Sequence, residues 1–218
     1  EHQVSAQEVL QKAIDKTEFL AKREHYRQLN QLGGPIKYGI GLALSHRGCS
    51  LGAEGLDASS ALIQINADGS LNLSTSVSEN GQGLQTTMSL IAAEAFGLDL
   101  TQIHFTDPPT AMIADGGSTV ASRGTLMGGQ AVLSAANTIK RRMAKALAQT
   151  LDVTDPDDLV WENGTVFHRR QPSKRLPFRQ VVDVTKAAGA NLSAYGWHVA
   201  PAIHWDEEKG SGSPYFTW

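Results

Sequence analysis

The chain has 218 residues, 41% of them apolar and 19% charged, enough for one large domain or two small lobes with a proper core. Its formal charge is −3 and its lysines and arginines form no long stripe, so the clustered positive charge that a nucleic-acid backbone rewards is missing. No apolar run reaches the roughly 18 residues that a membrane span requires. The one cysteine, Cys49, rules out an intrachain disulfide and any zinc site built of several thiolates, and fits a reducing cytoplasm. Glu1 stands first with no charged-then-apolar leader behind it, so the chain reads as a trimmed piece.

Ser5-Ala6-Gln7-Glu8 has the spacing of a capping box, and Leu10, Ile14, Thr17 and Ala21 follow at helical intervals. One helix is therefore expected from Ala6 to about Asn30, ending before Gly33-Gly34-Pro35. Ile36–Leu44 alternates as a strand would, with Tyr38, Ile40, Leu42 and Leu44 on one face. A loop, Ser45–Ala58, contains His46-Arg47-Gly48-Cys49. Ala61–Asn66 and Leu71–Val77 alternate around Asp68-Gly69, a hairpin signal. Leu84, Met88, Ile91, Ala92, Ala95 and Phe96 form a helical stripe that Gly97 ends, and Ile103–Phe105 is a short strand. A long helix is predicted from about Arg123 to Thr150, tracked by Leu126, Gln130, Leu133, Asn137, Lys140 and Met143, with Ala131, Ala135 and Ala136 packing closely. Gly128 and Gly129 inside it imply that something approaches closely, a neighbouring backbone before a ligand. Asn163-Gly164 joins the strands Leu159–Glu162 and Thr165–His168. Pro172–Leu176 reads as a polar link, Phe178–Ala188 as a helix, Asn191–Val199 as a strand and Pro201–Ser213 as a loop. Pro214–Trp218 looks like the start of a strand.

The chemistry concentrates at two turns. Glu79-Asn80-Gly81-Gln82-Gly83-Leu84-Gln85-Thr86 carries a strand into a helix, with two glycines bracketing one amide. Glycine lets another group approach the backbone, and a helix start offers unpaired N–H groups at the positive end of the dipole. An anionic or oxygen-rich ligand fits such a place; a plain strand-to-helix turn fits it too. Gly116-Gly117-Ser118-Thr119-Val120-Ala121-Ser122-Arg123-Gly124 repeats the logic before the long helix.

Together, Glu-x-Gly-Gln-Gly-Leu-x-Thr at Glu79–Thr86, Ile-Ala-Ala-Glu at Ile91–Glu94, Thr-Val-Ala-Ser-Arg at Thr119–Arg123 and Gly-Gly-Gln-Ala-Val at Gly128–Val132 resemble the molybdenum hydroxylases, the xanthine dehydrogenase and aldehyde oxidase family. The resemblance covers about Ile36 to Met143, and the end, His204–Thr217, is similar to the bacterial xanthine dehydrogenase type. It implies a molybdopterin cofactor carrying molybdenum, often as the cytosine dinucleotide in bacteria. Gly81, Gln82 and Gly83 would contact the cofactor near the metal, with Asn80 where the family often has Met. By position Val120 and Ala121 would face the substrate, Ser122, Arg123 and Gly124 the pterin side, and Thr119 would support the loop. The metal is held by cofactor sulfurs, so no protein ligand is implied. The family's general base sits in a late Gly-x-Gly-Glu-like motif that does not occur here. Glu79, Glu94 and Glu162 stand in other contexts, so no catalytic residue is assigned. Iron–sulfur clusters and flavin are expected elsewhere in the enzyme.

The expected fold is α+β, short mixed or antiparallel sheets against two long helices, within the molybdopterin-binding domain of the family. Its divisions would be an N-terminal helix (1–35), a molybdopterin-binding lobe (36–151) and a second small α+β lobe (152–218) truncated at its end. The expected function is part of a hydroxylase acting on a purine, another N-heterocycle or an aldehyde, in company with further parts or subunits. A scaffold or subunit-interface module of the same fold is the alternative.

Overall fold

Residues 5–45, 51, 57–201 and 204–213 are described in this computed structural model. The readings made for His46–Cys49 and Pro214–Trp218 lie outside them. Contacts divide the chain into two units, Glu1–Arg47 and Gly48–Trp218.

In the first unit the expected single helix is two, α1 (Ala6–Lys16) and α2 (Phe19–Gln31). Glu18 breaks it with a left-handed backbone, φ 52°. The capping box does not form, because Ser5 makes no side-chain cap bond. Neither helix buries a residue, so each rests on local pairs such as Lys12–Glu8 (2.6 Å), of the kind worth a few tenths of a kcal/mol. The expected strand Ile36–Leu44 is not formed: the segment has no regular structure and belongs to no ladder. Alternating apolar residues specify a face and not a hydrogen-bonding partner. The segment instead returns to α2, where the Asn30 amide accepts from the Tyr38 N–H (2.9 Å) and donates to the Tyr38 carbonyl (2.8 Å).

The second unit holds a mixed sheet. Strands β1 (Ala58–Ile65) and β2 (Leu71–Thr75) form the expected hairpin, in register Ala61↔Thr75 to Ile65↔Leu71. Asp68 fixes its turn by accepting from the N–H (2.9 Å) and hydroxyl (2.7 Å) of Ser70. Helix α3 (Leu84–Phe96) follows and stops at Gly97, φ 63°. The glycine is required there twice over: a Cβ at Gly97 would lie 2.4 Å from the backbone of Trp161 and Glu162. Strand β3 (Ile103–Phe105) then pairs parallel to β2.

The long helix does not begin as expected. Gly124–Gly128 is a π-helical turn, and helix α4 runs Gly129–Leu147. A π-turn carries one residue more than an α-turn and rotates everything beyond it. The buried face takes in Ala131, Ala135 and Ala136, which were expected to pack closely, with Val132, Ile139 and Met143, while Leu126, Gln130 and Asn137 of the predicted track are exposed. Gly128 and Gly129 do meet close neighbours, but these are side chains and not backbone. Cβ atoms there would stand 2.7 Å from Val77 Cγ2 and 2.8 Å from Ile91 Cδ1 respectively.

Strands β4 (Leu159–Glu162) and β5 (Thr165–His168) pair through Asn163 (φ 50°) and Gly164 (φ 69°), the two positive φ values of a type I′ turn. Part of the expected polar link is strand β6 (Arg175–Pro177), which completes a three-stranded sheet. Helix α5 (Phe178–Ala187) leads to β7 (Ser193–Val199), which returns to β1 and sets the four-stranded order β3-β2-β1-β7. The expected loop Pro201–Ser213 contains a further hairpin, β8 (His204–Asp206) and β9 (Ser211–Ser213). One core takes in Ile63 and Leu73 of the large sheet, Met88, Phe96, Ile139 and Met143 of the helices, and Val166, Phe178 and Val182 beyond residue 152. The rings of Phe96, Trp161 and Phe178 meet edge to face at 6.0–6.3 Å and tie α3 to β4 and α5. The architecture is the expected α+β arrangement.

Candidate functional site

Both glycine-rich turns lie at the end of the large sheet where α3 and the π-turn start. The first is organised by Glu79. Its carboxylate accepts from the backbone N–H groups of Gly81 (2.7 Å), Gly83 (3.0 Å) and Gln85 (3.1 Å). These bonds, the one from Gln85 foremost, hold its carboxyl below the ordinary glutamate range against a smaller opposing effect of desolvation. The sequence reading offered the starts of both helices to a ligand phosphate. At α3 that is corrected: the first-turn N–H groups serve the chain's own carboxylate.

Gln82 is exposed and closes the same turn, accepting from the Asn80 N–H (2.5 Å) and donating to the Ser78 carbonyl (2.9 Å). Gly81 (φ 95°) and Gly83 (φ 78°) need glycine for their backbone, and nothing lies within 4 Å of where a Cβ would stand at either. An incoming group can therefore reach the main chain here. A cleft of about 340 Å³ runs alongside, lined by Ser76, Ser78, Glu79, Asp107, Thr110 and Ile113.

The second turn is joined to the first. The Ser78 N–H donates to Thr119 Oγ1 (2.8 Å), and the Asn80 amide reaches the Thr119 carbonyl (3.5 Å). A Cβ at Gly124 would lie 3.1 Å from Leu84 Cδ1, so the starts of α3 and of the π-turn touch. Val120 and Ser122 are exposed and Ala121 is half-buried. Ala121 (φ 50°) and Ser122 (φ 55°) are consecutive non-glycine residues in the left-handed region. That conformation costs an L-residue about 1–2 kcal/mol. The π-turn that follows has no side-chain cap.

Arg123 does not reach the surface. It is fully buried, and its guanidinium donates to Asp57 Oδ1 (2.6 Å) and to the carbonyls of Ser118 (2.7 Å), Gly116 (2.8 Å) and Ala58. Its donors are taken up by the protein's own oxygens, so it offers no surface contact. Glu79 heads the first motif but was given no role from sequence, and Asp57 was not singled out at all. Glu79 had a readable signal, an acid a few residues before a glycine-bracketed helix start. Asp57 had none, since its partner lies 66 positions away.

The molybdopterin cofactor-binding domain family matches residues 12–218. This chain belongs to that family. The domain is 33% identical over 209 residues to the xanthine dehydrogenase of Calliphora vicina, and 27% identical over 209 residues to that of Emericella nidulans, 94% of this chain in both. It spans only 14% and 13% of their lengths. The fold matches quinoline 2-oxidoreductase from Pseudomonas putida 86 with a TM-score of 0.61, at 22% identity, over 89% of this chain and 26% of that one.

The fit of a molybdopterin can be judged from the residues present. Open approach to Gly81 and Gly83 and the uncapped start at Gly124 suit a pterin and its phosphate. The α3 start does not supply the free N–H groups, and Glu79 repels a phosphate placed directly on it. The accommodating side of the patch is thus the second loop, with the Gln82 amide at its edge. Among the described residues no helix is long and apolar enough to cross a membrane.

Proposed function

We propose that this domain forms one wall of the molybdenum-cofactor site in a larger hydroxylase of the xanthine dehydrogenase and aldehyde oxidase type. Its substrate would be a purine, another N-heterocycle or an aldehyde. Iron–sulfur clusters and flavin would sit on other parts or subunits. The observation that carries this reading is the joining of the two turns through Ser78 and Thr119, which gathers Gln82, Val120, Ala121 and Ser122 at one end of the sheet. The bound cofactor supplies the redox chemistry by which a carbon is hydroxylated with oxygen from water.

The chain's own residues do simpler things. Gln82 spends one donor and one acceptor of its amide on the turn, and its second N–H and second lone pair remain to meet a group beside the open backbone. Ser122 and the Gly124 turn receive the polar, phosphate-bearing side of the pterin. Ala121, with only a methyl group, leaves width for a flat ring, and Val120 supplies an apolar edge. Thr119 keeps the second loop against the first. The general base comes from elsewhere in the protein.

Two substitutions in the full-length enzyme separate these roles. Gln82→Ala removes an amide hydrogen bond of about 1 kcal/mol and should lower molybdenum content or turnover about fivefold. Ala121→Phe should keep the metal and block bulky substrates while sparing small aldehydes. If neither change affects metal or turnover, the domain is a scaffold and the cofactor lies elsewhere.

A further inference from the structure

Arg123 and Asp57 are buried charges that the proposed function leaves without a task. The turn Val120–Arg123 is closed by a bond from the Arg123 N–H to the Val120 carbonyl (3.3 Å). Its two central residues, Ala121 and Ser122, both have positive φ. This is the pattern of a type I′ turn, which elsewhere takes Gly, Asn or Asp at those places. Neither residue prefers it, and together they bias an unsupported backbone against it by roughly a hundredfold. Something must hold the turn from outside.

The guanidinium of Arg123 is placed to do so. It follows Ser122 directly, so its main chain closes the turn while its side chain is anchored behind. One edge pairs with Asp57 at 2.6 Å, and the remaining donors hold the carbonyls of Ser118, Gly116 and Ala58. The loop is therefore pinned upstream at Gly116 and Ser118 and downstream at Arg123, and both pins are fastened to the start of β1. Asp57 is itself 5% exposed and also accepts from the Leu51 N–H (3.0 Å). Lysine cannot replace this arrangement, because one ammonium cannot span the directions that the planar fork reaches.

We propose that Arg123, through its buried pair with Asp57, is the positioning residue that locks Ala121 and Ser122 in the left-handed conformation they present to the ligand. This rests on the reading of the second loop as cofactor- and substrate-facing, but its physical core, a clamp on a strained turn, can be measured without that reading.

The test uses the full-length protein in four forms: wild type, Asp57→Asn, the pair Ala121→Gly with Ser122→Gly, and all three changes together. Amide hydrogen exchange of the 118–124 segment, molybdenum content, kcat and KM are read in each. In the natural background Asp57→Asn should speed loop exchange about tenfold or more and raise KM more than it lowers kcat. In the glycine background the turn is no longer opposed by its own residues, so Asp57→Asn should change exchange and KM less than about threefold. Equal factors in both backgrounds overturn the clamp, because they mean the pair only stabilises the fold. Should Asp57→Asn fail to accumulate, Arg123→Lys is compared in the same two backgrounds, and the glycine pair must again blunt its effect. A wild-type protein that holds no molybdenum and hydroxylates nothing sinks the proposed function and leaves the exchange comparison standing. Unchanged exchange in an active Asp57→Asn enzyme sinks the clamp alone.

Discussion

Gly196 lies in β7 opposite Ala61, with α4 crossing directly over it. A Cβ there would stand 2.0 Å from the Ala131 carbonyl oxygen, 2.6 Å from the Ala135 nitrogen and 3.1 Å from the Ala131 carbonyl carbon. Ordinary contact begins near 3.4 Å, so β7 and α4 must part by about 1.4 Å to admit one methyl group. All three obstacles are backbone, which no rotamer change relieves. Alanine is intrinsically better than glycine inside a strand by about 0.5–1 kcal/mol. Overpacking usually costs about 1–3 kcal/mol, and this case sits at the upper end because the whole helix must move. Gly196→Ala should therefore destabilise the chain by about 2 kcal/mol net. Gly128→Ala is the matched control. Its obstacles are Val77 Cγ2 at 2.7 Å and Met88 Sδ at 3.2 Å, both side-chain atoms. The gain of roughly 1 kcal/mol for alanine in a helix offsets much of the clash, leaving a net cost of about 0–1 kcal/mol. Equilibrium urea unfolding of the 218-residue chain, with unchanged m-values, measures both. A Gly196→Ala variant within about 0.5 kcal/mol of wild type, or one less damaging than Gly128→Ala, would refute the steric reasoning.

Two further outcomes are expected. Glu79 has its carboxyl lowered in the folded state, first by the Gln85 N–H, so its contribution is fully present above the ordinary glutamate range and is lost as pH falls through the lowered value. Glu79→Gln should flatten this acid-side dependence, read as the exchange of the Gly81 and Gly83 amides against pH; a wild-type profile in the variant would remove Glu79 as the cap. The 218-residue chain alone, assayed with purines and aldehydes and an artificial acceptor, should show no turnover and hold less than stoichiometric molybdenum. Stoichiometric metal or measurable hydroxylation would mean that one wall suffices.

Local turn chemistry was legible in the sequence. Asp68-Gly69, Asn163-Gly164 and Gly97 each fix their own backbone within a few residues, and the turns they announce are present. Periodicity found α3 and the packed alanines Ala131, Ala135 and Ala136 of α4, but misjudged the start of that helix, because nothing in Gly124–Gly128 signals the extra residue of a π-turn. Ser5 and Glu8 had the right spacing for a capping box, yet spacing does not oblige a hydroxyl to bond. At the candidate site the two glycine-rich turns could be read from the sequence, and they are joined through Ser78 and Thr119. What holds them could not: Arg123 was placed on the pterin side by resemblance alone, and its buried partners Asp57 and Ala58 are distant in sequence. The carboxylate of Glu79 was visible but its role was not, since capping from several residues upstream depends on how the two glycines fold the chain back.

The wide turn at Gly124–Gly128 also bears on how such a domain can change over time. It stands between the loop of Ala121 and Ser122 and a helix whose small residues are seated against β7. Because it already carries a surplus residue, it is a slip joint. Losing one position there would tighten it to an ordinary helical turn and swing Ser122 around the axis, while Ala131 kept its seat beside Gly196. Loop length and shape can drift on one side of the joint without disturbing the packing on the other.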